Sequence, residues 1–430
     1  MDARRSVEVS FASKTIAAVS TVVEWYDFTL YLYFATVLSR VFYGGGDRAL
    51  LATLAGFGVS YGMRPLGAIV FGHLGDRVGR RHSLLLSMML MTLAMLATAC
   101  LPDRQTLGPA AGWLLVLLRC CMAFAVGGEY TGVVAYLLEG ARPERRGLIT
   151  SLAAAASEVG ALLAVAVAAM TTGLLDTVRL EAWGWRIPFL LGALLAAVVW
   201  FARARMQESP DFERQRRQRS IPATPLRHTL TRRRPALWRT FAISALGSIS
   251  YYVGITYVPA FLASSGRMPE GRALGLSTFA ALVVILVTPL AGLVSDRVGR
   301  RPVLLGLTLA CVPLPLVLFH LLGSREDGLI VLGATGLACL AGGISAVAAS
   351  ATAEQFPGEG RLSGLALGVT VATAIFGGST PFLAELLVRR TGWLAAPGAM
   401  IALVALAVWP AIRSMRESHP LLGEATHAET

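Results

Sequence analysis

Two ten-residue stretches decide how this chain is read: "GHLGDRVGRR" at 72–81 and "GLVSDRVGRR" at 292–301. Seven of the ten positions are identical at an offset of 220, and each stretch follows an apolar run of membrane-spanning length. A match of that kind at equivalent places marks an internal duplication. A fainter echo follows in each half, where Glu139 precedes Arg146 by seven residues and Glu354 precedes Arg361 by seven. Parallel repeats with a ligand site between them near the bilayer midplane are a plan of alternating-access transporters. A loop that only anchored the chain at a membrane surface would need its arginines and nothing more. Here Asp76 and Asp296 share one register, with Gly72, Gly75, Gly79, Gly292 and Gly299 around them. Glycine permits close backbone approach, and an aspartate can pair with arginine or cap a helix across an interface. The gate is therefore expected at Gly72, Gly75, Asp76, Arg77, Gly79, Arg80, Glu139 and Arg146. Its second-half counterparts are Asp296, Arg297, Gly299, Arg300, Glu354 and Arg361.

Composition agrees with a polytopic membrane protein. Of 430 residues, 55% are hydrophobic and only 15% charged, and the mean hydropathy is +0.62. Runs long enough to cross a hydrocarbon core of about 30 Å as helices recur along the whole chain. Twelve are expected, roughly at 14–42, 49–73, 82–101, 110–138, 146–174, 186–204, 238–265, 271–295, 302–321, 327–353, 361–388 and 393–413. The polar stretch "RMQESPDFERQRRQRSIPATPLRHTLTRRRPA" (205–236) divides them six and six. The expected architecture is an all-α membrane protein of two pseudo-symmetric six-helix bundles, 1–204 and 238–416, with a linker at 205–237 and a tail at 417–430.

Basic loops are retained in the cytoplasm. With the N-terminus inside, 26 Lys and Arg fall on the cytoplasmic side and eight opposite, which places both termini in the cytoplasm. The same bias accounts for the +12 net charge as a topology and lipid-attraction signal, so nucleic-acid binding is not expected. "MDARRSVEVSFASK" lacks a short apolar core followed by a small-residue cleavage site, so the first span is read as retained. The five cysteines, Cys100, Cys120, Cys121, Cys311 and Cys339, lie in or beside apolar runs without metal-ligand spacing. No phosphate loop, hydrolase elbow or histidine metal pattern occurs, so neither an enzyme nor an ATP-driven pump is indicated, and no metal or cofactor is expected.

Ionisable residues at bilayer depth mark pathways, because isolated charges there are costly. Counting about 1.5 Å per residue from the cytoplasmic end places Glu24 near ~15 Å, Asp27 near ~20 Å, Arg64 and Glu129 near ~14 Å, and Glu158 near ~18 Å. Arg119 falls further out, near ~28 Å. Glu24 and Asp27 in "VVEWYDFTLYLYF" (22–34) share one helical face, which Tyr31 continues. Two such carboxylates in a low-dielectric site resist double ionisation, so one can carry a proton while Arg64 holds the other; Asp27, nearer the midplane, is favoured. A fixed ion pair with Arg64 is the structural alternative. Arg119 has no acid within a turn of its own span and offers a bidentate fork to a substrate carboxylate; pairing with a distant acid or a ring of carbonyls is the structural alternative. Tyr251, Tyr252 and Tyr257 would supply the facing wall, or simply pack.

The two loops resemble the signature of the major facilitator superfamily. "EWYDF" (24–28), "MRPLGAIVFGHLGDRVGRR" (63–81), "GGEYTG" (127–132), "WGWRIPF" (183–189), "ESPDF" (208–212) and "AIFGGSTPF" (374–382) are together similar to its metabolite:proton symporter family. That family carries citrate, 2-oxoglutarate, shikimate, proline or betaine into bacteria. The resemblance spans about 14–413 and implies the major facilitator fold in a bacterial inner membrane. It also implies rocker-switch import of a small organic anion such as a di- or tricarboxylate. Proton-coupling sites are expected among Glu24, Asp27 and Glu129, with Glu129 alternatively part of the gate. Substrate-binding residues are expected among Arg64, Arg119, Tyr31, Tyr251, Tyr252 and Tyr257. A carboxylate-lined site can also hold sodium, and a monomer is expected. The sequence departs from the family at "RCCMA" (119–123) and "SLAAAASEVG" (151–160), where two polar positions are replaced and Glu158 is added. The chain ends about 17 residues past its last span, without the long coiled-coil tail of the osmolyte carriers, which weighs against an osmolyte. An exporter or antiporter of a larger carboxylate-rich metabolite such as a citrate-based siderophore, and a transport-inactive membrane sensor, remain as alternatives.

Overall fold

The computed structural model describes residues 9–221, 224–268, 270–415 and 417, and among these there is no β-strand. Among the described residues nine helices are long and apolar enough to cross a membrane, or ten if the bent pair Arg300–Ala310 and Leu314–Leu322 is one span. The twelve-span expectation is therefore not met by length and apolarity alone. The two segments that fall short are helical. One is Phe11–Tyr33 continued by Ala35–Tyr43, and the other is Arg234–Tyr251 continued through a π turn, Tyr252–Thr256, into Val258–Ser264. Their apolarity is diluted by Glu24, Asp27 and four tyrosines in the first, and by Ser244, Ser248, Ser250 and three tyrosines in the second. Several of these polar groups line the internal cavities.

Each half of the chain builds its own apolar core. One gathers residues between Val23 and Val199, the other residues between Ala242 and Met415. Side chains such as Leu286, Leu290 and Trp113 remain exposed, as lipid-facing apolar surface is in a bilayer protein. The halves meet chiefly along Arg146–Leu174 against Glu270–Val298 and Met63–Arg77 against Arg361–Phe376, with Arg146–Leu174 also touching Asp327–Glu354. Glycines set how close they come. A Cβ on Gly147 would lie 2.5 Å from the Gly292 carbonyl, and one on Gly292 would lie 2.6 Å from the Gly147 carbonyl, so only hydrogen is accommodated at this crossing.

Several spans break near mid-depth, at Phe34, Gly62, Gly127–Gly128, the Tyr252–Thr256 turn and Gly377–Gly378. Discontinuous helices at membrane depth are tolerated where the backbone is buried in protein or lines a cavity. Both described chain ends lie on the face that carries the linker. Ser10 N–H donates to Gln207 Oε1 at 3.2 Å, and Glu417 accepts from the backbone N–H groups of Arg300 and Arg301 at 2.9 and 3.0 Å. We call this the linker face. Apart from Glu417, the expected tail at 417–430 lies outside the described residues, as do residues 1–8 of the N-terminus.

Candidate functional site

A cavity of about 180 Å³ lies between the halves. Its charged lining residues are Glu24, Arg64 and Glu158, all from the first half; the second half contributes Ser244, Ser248, Tyr251, Tyr252 and Thr373. Arg64 projects from the Met63–Arg77 helix just past the Gly62 break. Its guanidinium carbon stands 4.8 Å over the Phe28 ring and 4.7 Å over the Tyr61 ring. These cation–π contacts hold it without an acid partner, and it forms no ion pair among the described residues. Glu24 lies beside it on the same wall, 2% exposed, with Oε2 buried and lacking any hydrogen-bond partner. The Trp25 indole nitrogen is likewise unsatisfied. A free guanidinium and an orphaned carboxylate oxygen in one desolvated chamber form a site whose polar groups await a ligand or a proton.

Asp27 and Arg119 do not face this chamber. They pair with each other, Nη1 to Oδ2 at 2.6 Å, both buried. The Arg119 guanidinium lies 4.5 Å over the Tyr31 ring, and the Tyr31 hydroxyl donates to the Thr53 carbonyl at 3.1 Å. Of the two readings of Arg119, pairing with an acid of another span is the one observed, and the alternative of a fixed ion pair between Asp27 and Arg64 is not. Depth counted along one helix ignores tilt and breaks, which here bring Arg119 level with Asp27. Glu129 is also buried away from both chamber and gate. It is paired with Arg203, which reaches it at 3.1 Å through Nη1, and it accepts from Ser87 at 2.5 Å. Tyr257 donates to Glu385 at 2.7 Å and does not line the chamber.

Above the chamber, away from the linker face, lies a larger vestibule of about 650 Å³. Trp25, Tyr61, Glu158, Tyr251 and Tyr252 line both spaces and form the waist between them. Two hydrogen bonds cross between halves at this level: Tyr61 to Tyr252 at 2.8 Å, and Tyr251 to Glu158 Oε1 at 2.5 Å.

Below the chamber the linker face is closed twice, by equivalent parts of the repeat. Asp76 accepts from the backbone N–H groups of Leu362 and Ser363 at 3.1 and 2.7 Å, at the start of the Arg361–Phe376 helix. Asp296 accepts from Gly147 and Leu148 at 2.7 and 2.8 Å, at the start of the Arg146–Leu174 helix. Each aspartate thus caps a helix of the other half, where the N-terminal dipole favours an anion. Arg80 anchors Asp76 at 2.7 Å and Glu139 at 3.0 Å. Arg300 anchors Asp296 at 2.8 Å and Glu354 at 3.3 Å. Gly79 and Gly299 turn each loop with φ of 123° and 107°, a region that favours glycine. Cβ atoms on Gly72 and Gly75 would press on Ser363 and Leu362 of the other half, at 3.1 and 2.2 Å.

The two locks are not identical. Arg361 bonds Glu139 at 2.9 Å and Asp211 of the linker at 2.8 Å, whereas the Nε of Arg146 is buried without a partner. Arg77 and Arg297 are exposed and take no part. Sequence reasoning did not assign Glu208, which accepts from Arg81 N–H at 3.1 Å, or its counterpart Glu417. The signal was present: "MQES" (206–209) and "MRES" (415–418) are a further copy of the repeat. Arg203 enters the sequence reading only as one of the basic residues on the cytoplasmic side, and Asp211 only within "ESPDF" (208–212).

A family profile described as Major Facilitator Superfamily matches residues 17–324. The chain is 31% identical to the ectoine/proline transporter ProP of Corynebacterium glutamicum, over 96% of this chain and 85% of that protein. It is 33% identical to the alpha-ketoglutarate permease of Escherichia coli, over 86% and 85%. To the citrate-proton symporter of Klebsiella pneumoniae it is 30% identical, over 89% and 86%. Among solved structures, the proton:xylose symporter XylE superposes with a TM-score of 0.75 at 20% identity, covering 93% of this chain and 95% of that one. At that identity the likeness speaks for the fold alone.

Proposed function

The chain belongs to the Major Facilitator Superfamily, and from that premise we propose that it is a proton-coupled symporter importing a small organic acid. The observation that carries this reading is Arg64, a guanidinium on the chamber wall with no carboxylate partner, beside Glu24 with its unsatisfied oxygen. A guanidinium in a desolvated site offers a carboxylate two parallel N–H donors, and its planar fork loses little freedom in doing so. A substrate carboxylate arriving there meets the like charge of Glu24. A proton on Glu24 removes that repulsion and satisfies the orphaned group, so proton and anion favour each other's binding. Glu24 rather than Asp27 is then the coupling acid, because Asp27 is neutralised by Arg119. The alpha-ketoglutarate, citrate and proline named for the relatives all bear carboxylates, and the symporter and permease names support import over export. Whether one carboxylate or several are carried is a finer question, and di- and tricarboxylates belong in the test.

In this reading the linker face is cytoplasmic, in keeping with its excess of arginine. The segments at 11–43 and 234–264 complete twelve spans, and the bundles 1–204 and 238–416 rock about the chamber in a bacterial inner membrane. The linker 205–237 and tail 417–430 stay in the cytoplasm. The unit is a monomer without a cofactor, and its coupling ion is the proton, with sodium as the competing choice. The arrangement with locks engaged and vestibule open away from the linker face is the outward-facing member of the cycle.

The test is uptake into proteoliposomes with an imposed inward proton gradient, using labelled citrate, 2-oxoglutarate, succinate, proline and glycine betaine. Accumulation that collapses with a protonophore is expected. Absence of gradient-driven accumulation of every carboxylate overturns the reading, and accumulation driven only by sodium replaces the proton.

A further inference from the structure

The chamber carries a charge that neither the gate nor the Arg64–Glu24 wall uses. Glu158 projects from the Arg146–Leu174 helix at the waist, 4% exposed, and lines both chamber and vestibule. It is the single charged residue on the vestibule wall among the described residues. Among the described residues no Lys or Arg pairs with it; Oε1 accepts from Tyr251 of the facing half at 2.5 Å, and no described group donates to Oε2. A buried carboxylate with one neutral donor is under-satisfied, and such groups are normally paired or liganded. Aromatic rings surround it. Trp25 and Tyr251 meet edge to face at 5.9 Å between centroids, and Tyr251 and Tyr252 at 5.6 Å.

Charge arithmetic then constrains the solute. With a proton on Glu24, the chamber holds one cation, Arg64, and one anion, Glu158. A solute with one carboxylate at Arg64 and a second towards the waist would set that second carboxylate against Glu158, and like charges in a desolvated space oppose binding. A solute with a positive nitrogen at its far end meets a carboxylate and π faces instead, the combination that holds ammonium groups.

We propose that Glu158 is a specificity-determining residue that binds a positively charged nitrogen, so that the preferred substrate is a small zwitterion with its carboxylate on Arg64. This inference rests on the carboxylate reading of Arg64 made above. Tyr251, through its hydroxyl, is a positioning residue that orients the Glu158 carboxylate.

The experiment uses purified full-length protein and a matched pair of probes, glycine betaine and the isosteric anion 3,3-dimethylbutanoate, in which carbon replaces the positive nitrogen, with succinate as a dicarboxylate. Binding is measured by calorimetry for the wild type and for Glu158→Gln. The wild type should bind glycine betaine about 10- to 100-fold more tightly than the isostere, the scale of one charge-assisted contact. Glu158→Gln should bring that ratio close to one while leaving affinity for the isostere within about twofold. A ratio unchanged by Glu158→Gln, or equal loss of both ligands, overturns the proposal in favour of a structural role at the waist. The wild type alone also tests it: tighter binding of succinate than of glycine betaine overturns the zwitterion inference and leaves the Arg64 reading standing. Failure of all three carboxylates to bind overturns both.

Discussion

At the residue scale, three acid–arginine relationships in one bundle have three different consequences. Arg64 faces the chamber unpaired, Arg119 is neutralised by Asp27, and Arg203 by Glu129. Arg64→Lys should raise the apparent KM of a carboxylate substrate by about tenfold or more, since the planar fork is lost while the charge is kept; initial-rate uptake measures this. Glu24→Gln should abolish accumulation against a gradient yet retain counterflow exchange, because the variant mimics a permanently protonated site. Asp27→Asn should behave differently. It strands the Arg119 guanidinium in a buried space, so it should cost about 3–5 kcal/mol of stability. The check is thermal unfolding in detergent, where Asp27→Leu combined with Arg119→Met should recover most of the loss. Glu24, Asp27 and Arg64 were all legible in the sequence as charges where charges are expensive. Their pairing was not, because a linear ruler of depth contains no information about which faces of neighbouring helices meet.

At the element scale, the locks depend on helix starts rather than on charge pairs alone. Asp76 and Asp296 each accept two backbone N–H groups from the opposite half. Asp76→Asn and Asp296→Asn keep the shape but lose the charge that the helix dipole favours, about 1 kcal/mol each, and with it the buried ion pairs to Arg80 and Arg300. Both should shift the protein towards the state open at the linker face. Alkylation of a single cysteine placed at Ser248, on the chamber wall, by a reagent added from the linker side should rise to a similar extent in both. Gly292→Ala should do the same by sterics, since its Cβ cannot fit 2.6 Å from the Gly147 carbonyl with the helices in contact. The repeat motif announced these aspartates and glycines as a gate. It did not show that the targets are the first turns at 147–148 and 362–363, because a capped N–H belongs to whatever residue the fold delivers there.

At the scale of the whole molecule, the proposed cycle makes the closed linker face and the vestibule on the other side two ends of one switch. A disulfide between Gly72→Cys and Ser363→Cys, in a background lacking the five native cysteines, should hold the linker face shut and stop net transport. Reductant should restore it, and transport that persists in the oxidised protein would show that this seam does not open in the cycle. Sequence alone determined the duplication, the membrane setting and the sidedness expected of the linker, because those follow from covalent order: repeated motifs, apolar run lengths and the placement of arginine. It overstated the number of evenly apolar spans, since 11–33 and 234–251 carry their polarity towards the chamber rather than towards lipid. Only the tertiary structure decided that Arg64 forms no ion pair among the described residues, that Asp27 is spent on Arg119, and that Glu158 stands at the waist facing Tyr251. Those outcomes depend on helix rotation, tilt and mid-span breaks. In a chamber of low dielectric, a shift of a few ångströms determines whether a charge is neutralised by its neighbour or left to recognise a ligand.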